Sequence, residues 1–155
     1  MANDIVLDIA TILTQARDEI RTNMRVQGIN ASGRTSEALQ VRKRGGVIEL
    51  VKVAGENAPF YTLQFGRAGG KVPSGFRDIL YQWSIDKGIA FGSDRERNTF
   101  AFFLARKIAR EGTRRHKQPN LKVYTIPIEK AEKGIAEAMR KYIIASINAS
   151  VNRDF

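Results

Sequence analysis

The side chain best suited to proton transfer near neutral pH is the single histidine of the sequence, His116. It lies among three cations in the stretch Arg114-Arg115-His116-Lys117. A neutral imidazole can act as a general base, but a histidine in such a stretch is more typical of a solvated loop. A catalytic triad would also need a nucleophile, and no nucleophile-elbow motif is present. The sequence therefore predicts no catalytic residue and no enzyme.

Metal and cofactor sites find equally little support in the sequence. It contains 0 cysteines, which excludes disulfides and cysteine-ligated zinc, and its acidic residues are scattered rather than clustered. The stretch from Gly66 to Val72 resembles a phosphate-binding loop. However, only three residues separate Gly66 from Gly70-Lys71, and Val72 stands where the motif needs Ser or Thr for magnesium. We expect no cofactor and no metal. The glycines then allow a sharp turn or the close approach of a neighbouring backbone.

A cluster of basic residues is the strongest local signal for binding. Six cations fall between positions 106 and 117 against one acid, Glu111. They are Arg106, Lys107, Arg110, Arg114, Arg115 and Lys117. Arg106 and Arg110 are one helical turn apart and share a face, so this stripe can neutralise phosphates without reading base sequence. It can equally dock acidic residues of a partner protein, or keep the end of a helix soluble. The sequence leaves these alternatives open.

The composition of the whole chain agrees with an anionic partner. The formal net charge is +10, and such a field attracts nucleic acid or acidic protein surfaces. The 155 residues suffice for one domain with its own hydrophobic core. No apolar run is long enough to cross a bilayer, and Met1-Ala2-Asn3-Asp4 lacks the layout of a secretory signal. We therefore expect a protein made in a cytoplasm, without a membrane partner.

The elements that position these residues begin with an amphipathic helix from Asp4 to Val26. Residues 29–37 are rich in turn formers and are predicted to be irregular or mobile. A β-hairpin follows, because residues 38–42 and 47–53 alternate apolar and polar side chains around Gly45-Gly46. An aromatic segment then leads into a glycine-rich loop at 66–74.

Three further helices are predicted after this loop. One begins after Ser74, carries Trp83 and ends at Gly88. The next begins after Ser93, with capping-box spacing, and ends at Gly112; Phe103 and Leu104 are assigned to its core side, and Phe102 is left open. After a short strand at 121–126, the last helix starts near Pro127. Its predicted core face comprises Ile128, Ala131, Ile135, Met139, Tyr142 and Ile143, and its tail from 146 to 155 is predicted to fray.

Together these elements predict one α+β domain over residues 1–155. A small antiparallel sheet built on the β-hairpin packs against a long N-terminal helix and a C-terminal helix.

The order of these pieces resembles the tail-completion or head–tail joining family of tailed bacteriophages. The loop before the hairpin, Ser32 to Leu39, and the aromatic segment, Phe60 to Arg67, are similar to the family's motifs. So are Gly66-Arg67-Ala68-Gly69-Gly70-Lys71-Val72-Pro73, the helix with Trp83, Lys87-Gly88, and the stretch from Arg106 to Thr113. Gln64 stands where an acid is common in that family. The resemblance spans nearly the whole chain through short motifs.

The resemblance implies a structural virion protein made in the host bacterial cytoplasm. It would be a subunit of a homo-oligomeric ring around the DNA channel, in contact with portal, neck and tail proteins. Because ring contacts join two different patches, exposed loops are the candidate interface. The residues we assign to it are Arg34, Phe60, Tyr61, Phe65, Arg67 and Lys71. The alternative is a stand-alone, sequence-independent nucleic-acid-binding protein that uses the basic segment 106–117.

Overall fold

The computed structural model describes residues 2–29, 33–53, 60–117 and 122–151, apart from a few side chains near the edges of these ranges. Within these ranges the chain forms helices and one hairpin. The helices are α1 (Ala2–Val26), α2 (Arg34–Glu37), α3 (Phe60–Phe65), α4 (Phe76–Asp86), α5 (Asp94–Glu111), α6 (Arg114–Lys117) and α7 (Thr125–Val151). The strands are β1 (Leu39–Arg44) and β2 (Val47–Lys52), which follow α2 and pair in antiparallel register. The α+β prediction is confirmed.

The chain divides into two compact units. The helix–hairpin unit comprises Met1–Met24, Ser36–Glu56 and Val123–Phe155. The loop–helix unit comprises Arg25–Thr35 and Asn57–Lys122. Each unit is therefore assembled from segments distant in sequence, and one domain over residues 1–155 stays a prediction.

In the helix–hairpin unit, α1 lies against α7 and the hairpin. Ala16, Ile20 and Met24 recur every four residues on α1, and all three are buried. At the start of β1, the Arg21 guanidinium donates to the carbonyls of Ser36 and Leu39, at 2.9 and 2.8 Å. These bonds hold the hairpin on the N-terminal helix.

The turn of the hairpin depends on its two glycines. Gly45 and Gly46 have φ of +56° and +83°, and a tight two-residue turn needs positive φ at both central positions. Val41 faces Leu50, and Arg44 faces Val47 across the turn. The predicted hairpin and its turn are both confirmed.

In the loop–helix unit, α4 and α5 pack together as an αα pair. The Arg97 guanidinium donates to the Ser84 hydroxyl at 3.1 Å, and the Tyr81 hydroxyl donates to Asp94 at 3.0 Å. The Ser93 hydroxyl caps α5 by accepting the Glu96 N–H at 3.3 Å. Both predicted helices are confirmed.

Three local predictions differ from the structure. No strand forms in the described part of 121–126; instead the Tyr124 carbonyl accepts the Ile128 N–H at 3.0 Å and opens α7. That helix continues to Val151 rather than fraying from 146, because no glycine or proline interrupts it there. Within the predicted irregular segment 29–37, residues Arg34–Glu37 form α2, whereas positions 30–32 lie outside the described residues. The end of the predicted tail, positions 152–155, also lies outside them.

None of the described helices combines the length and the apolar character needed to span a membrane.

Candidate docking surfaces around the basic segment

The glycine-rich loop is bonded to the end of α5, which carries the basic segment. The Gly70 N–H donates to the Ala109 carbonyl at 2.6 Å, and the Thr113 N–H donates to the Arg67 carbonyl at 2.8 Å. The Arg67 N–H in turn donates to the Thr113 hydroxyl at 2.8 Å. Because two segments distant in sequence share these bonds, the loop and the basic segment form one structural feature.

Two glycines allow this close approach. A Cβ at Gly112, where φ is +74°, would lie 2.4 Å from the Arg67 carbonyl oxygen. A Cβ at Gly66, where φ is +71°, would lie 2.2 Å from the His116 backbone nitrogen. Neither position tolerates a side chain without a shift of backbone atoms. A Cβ at Gly69 would lie 2.7 Å from the Arg110 carbonyl oxygen, so close backbone approach is confirmed for two glycines of the loop, Gly66 and Gly69.

Of the residues assigned to a subunit interface, Arg67 has contacts within its own chain. The Arg67 guanidinium lies 5.6 Å from the centre of the Phe76 ring and donates to the Lys71 carbonyl. Lys71 is exposed, and Phe65 is 36% exposed. Arg34 lies 3.2 Å from the Asp86 carboxylate. The side chains of Phe60 and Tyr61 lie outside the described residues, and the interface role of all six stays a prediction.

The structure divides the basic cluster between two surfaces. Arg106 and Arg110 lie on one face of α5 with two phenylalanines, Phe102 and Phe103, which are 44% and 62% exposed. We call these four residues the outer face of α5. Its aromatic rings stack edge to face at 5.5 Å, and the Arg106 guanidinium lies 5.6 Å from the Phe102 ring centre. The assignment of Phe103 to the core was wrong.

The cations Arg114 and Arg115 instead line a groove beside α4 and α5, and Lys107 lines both this groove and the surface beside Phe103. The side chain of Lys117 lies outside the described residues. The apolar lining of this groove comprises Ile29, Ile79, Leu80, Trp83, Leu104 and Ile108. Its volume is about 600 Å³. Lys87 also lines it and donates to the Gly28 carbonyl. We call this feature the Trp83 groove.

Electrostatics differ between the two surfaces. On the outer face, Arg110 is paired with Glu111. In the Trp83 groove, partial burial lowers the pKa of the Arg115 guanidinium, which still leaves it charged at neutral pH. Lys107 and Arg114 form no ion pair with any residue that the structure describes. The groove therefore carries positive charge beside an apolar floor.

A further exposed surface, which the sequence analysis did not predict, lies on α7. Met139, Ile143, Ile147 and Val151 are 45–56% exposed, and we call them the α7 stripe. Ile128, Met139 and Ile143 were assigned to the core face but are exposed, and the side of α7 that is buried carries Pro127 and Ala131. Gly134 on the same side lies close to α1, where an added Cβ would be 3.5 Å from the Ile12 side chain. The small residues let α1 approach closely, so the larger apolar residues remain outside.

The remaining candidates for chemistry are isolated. His116 is exposed on α6, and its backbone N–H donates to the Thr113 carbonyl at 3.0 Å. Over the described ranges, no group of three or more His, Cys, Asp or Glu side chains could hold a metal ion.

Comparison of the chain with protein-family models, with curated proteins and with solved structures gives no match. The surfaces described above are therefore the starting point for assigning a function.

Proposed function

We propose that this chain is a structural virion protein of a tailed bacteriophage. It would be one subunit of an oligomeric ring at the head–tail connector, neck or tail-completion position, around the DNA channel. The observation that carries the proposal is the α7 stripe, whose four large apolar side chains are about half exposed. From Tyr142 to Val151 the helix has no charged residue. Such a surface is typical of a helix that is buried against another protein chain.

The α7 stripe can contribute substantially to association. Complete burial of one large apolar side chain is worth about 1.5–3 kcal/mol, so covering the exposed half of four such side chains contributes roughly 3–6 kcal/mol. Association costs a similar or larger amount in lost translational and rotational freedom. The α7 stripe therefore supports assembly but needs additional contacts to complete a stable ring.

These additional contacts would come from a different patch, because subunits in a ring meet head to tail. The glycine-rich loop from Gly66 to Pro73 is one candidate that the sequence predicts, and its residues from Ala68 to Lys71 are exposed. Its backbone is fixed by the end of α5, so little ordering entropy is lost when a neighbour binds it. The positive charge of the chain suits acidic portal, neck or tail proteins and is compatible with DNA in the channel. The resemblance of its motifs to the tail-completion family supports the same role.

Solution mass tests this proposal. We expect light scattering across a concentration series to detect a discrete oligomer of several subunits, and negative-stain images to show closed rings with a central hole. A strict monomer at all concentrations, and also in the presence of purified portal and tail proteins, would contradict the proposal.

The outer face of α5 favours a second candidate function, a stand-alone nucleic-acid-binding protein. Exposed aromatic rings interleaved with arginines can stack on bases and neutralise phosphates. The structure indicates which cations to test, since Arg106 and Arg110 lie beside Phe102 and Phe103. For this candidate, Arg106→Glu/Arg110→Glu would abolish salt-sensitive binding of DNA.

The matched control is Lys43→Glu/Arg44→Glu in the hairpin, which changes two exposed cations by the same charge. If both pairs weaken DNA binding equally, the attraction is a general effect of net charge and the second candidate fails. If neither the wild type nor the variants bind DNA while rings form, the virion role stands alone.

A further inference from the structure

The Trp83 groove combines features that constrain its occupant. Six of its lining residues are apolar, and its volume of about 600 Å³ falls within the range of about 300–1,000 Å³ that is typical of ligand pockets. Ile79 is 55% exposed although it lies in this concave surface. An occupant that inserts apolar side chains would remove this surface from water.

The charge of the groove is of one sign. Four cations line it, namely Lys87, Lys107, Arg114 and Arg115, and no carboxylate is among its described lining residues. These cations come from the end of α4, from α5 and from α6. A complementary occupant therefore combines several negative charges with apolar side chains.

We propose that the Trp83 groove binds an acidic amphipathic peptide segment of a partner protein. The occupant places bulky apolar side chains against Ile79, Trp83 and Ile108 and directs carboxylates at Lys107 and Arg114. This is the helix-in-groove mode of recognition, with charge complementarity added at the border.

Other anionic ligands fit less well. A nucleic-acid duplex presents phosphates on its outside, and a concave apolar floor offers nothing to them. A fatty acid carries a single carboxylate, which cannot pair with both Lys107 and Arg114. A peptide with several Asp or Glu residues matches both the floor and its border.

The inference goes beyond the proposed virion role and does not depend on it, because the groove lies within one loop–helix unit of a single chain. Binding of the peptide by a monomer would therefore support the inference about the groove even if no ring forms. Conversely, rings without peptide binding would leave the virion role intact.

The test uses the sole tryptophan of the chain, Trp83, as the reporter. The probe is a synthetic peptide of Leu and Glu at helical spacing, roughly three helical turns long and free of tryptophan. A control peptide has Gln in place of every Glu. We expect the acidic probe to change Trp83 emission in a saturable way, with micromolar affinity by calorimetry, and the Gln peptide to bind at least tenfold more weakly.

Variants assign the binding to the groove. Lys107→Glu/Arg114→Glu should weaken binding of the acidic peptide at least tenfold. The control, Lys43→Glu/Arg44→Glu, makes the same charge change at two exposed cations of the hairpin, outside the groove, and should stay within about twofold of wild type. Ile79→Ser should weaken binding several-fold; because Ile79 is already half exposed, the circular dichroism spectrum should not change.

Two results would overturn the inference. Equal weakening by both double variants would assign the interaction to the overall charge of +10. A short DNA duplex that changes Trp83 emission at lower concentrations than the peptide would assign the groove to nucleic acid.

Discussion

The two long helices α5 and α7 end in different ways. The C-terminal end of α5 is held by backbone hydrogen bonds to the glycine-rich loop, and Gly112 is needed there because Arg67 lies so close. The C-terminal half of α7 carries a half-exposed apolar stripe, for which the described part of the chain shows no comparable contact. Residues at the end of α5 are thus fixed by the fold, whereas those of the α7 stripe are the ones that we propose to contact a partner. Substitutions should distinguish the two regions. Those at the end of α5 should change the free energy of unfolding, and those in the α7 stripe should change association.

The largest effect is expected at Gly112. Gly112→Ala places a Cβ 2.4 Å from the Arg67 carbonyl at a backbone conformation that is essentially restricted to glycine. We expect a loss of about 3 kcal/mol or more in the free energy of unfolding, measured by urea denaturation. The control is Gly88→Ala, at the end of α4, where φ is +67° but no atom lies within 4 Å of the added Cβ. Gly88→Ala should lower the free energy of unfolding by only about 1 kcal/mol. Equal losses for the two variants would show that the loop does not constrain α5.

The next effect concerns the hydroxyl of Thr113. Thr113→Val keeps the shape of the side chain but leaves the Arg67 N–H without its acceptor, which should cost about 1–3 kcal/mol. Thr99→Val is the control, because the Thr99 hydroxyl is exposed and donates only to the Arg95 carbonyl of its own helix. The control should change the free energy of unfolding by less than about 0.5 kcal/mol. A Thr113→Val protein as stable as this control would contradict the role of Thr113 in anchoring the loop.

A moderate effect is expected at the beginning of α5. Ser93→Ala removes the hydroxyl that accepts the Glu96 N–H, and loss of such a cap typically costs about 1 kcal/mol. Ser74→Ala, in the exposed turn before α4, should have almost no effect on chemical denaturation. If the denaturation midpoint of the Ser93→Ala protein equals that of wild type, the cap does not contribute to the stability of α5.

The smallest effect on stability is expected in the α7 stripe. Ile143→Ser changes a side chain that is 51% exposed, so the free energy of unfolding of the monomeric form should fall by less than about 1 kcal/mol. Ala131→Ser on the buried side of the same helix should cost more, since it adds a hydroxyl where the residue is 6% exposed. Denaturation at low protein concentration compares the free energies of unfolding of these two variants. A larger loss for Ile143→Ser would place the stripe in the core of its own chain.

The sequence was most informative where local chemistry determines structure. The hairpin follows from Gly45-Gly46 between alternating residues, and α5 follows from Ser93 at its start and Gly112 at its end. Each of these signals acts within a few residues of chain. The same signals could not reveal that Gly112 also lies against Arg67, because that contact joins segments far apart in sequence.

The packing side of α7 could not be predicted because apolar residues cover more than one side of that helix. Periodicity favours the large side chains Met139 and Ile143 as core, yet the small side of α7 carries Ala131 and packs near α1. Similarly, the division of the basic cluster requires knowing which side of α5 faces α4. The uncharged run from Tyr142 to Val151 is the signal that could have identified the α7 stripe.

The solution mass of two matched α7 variants tests the central claim most directly. Ile147→Glu introduces a charge into the α7 stripe, and Ile126→Glu makes the same change at a similarly exposed isoleucine at the other end of the helix. If the chain is a ring subunit that associates through the stripe, light scattering should show an oligomer for wild type and Ile126→Glu, and a monomer for Ile147→Glu. An oligomer of unchanged mass for Ile147→Glu would contradict the account.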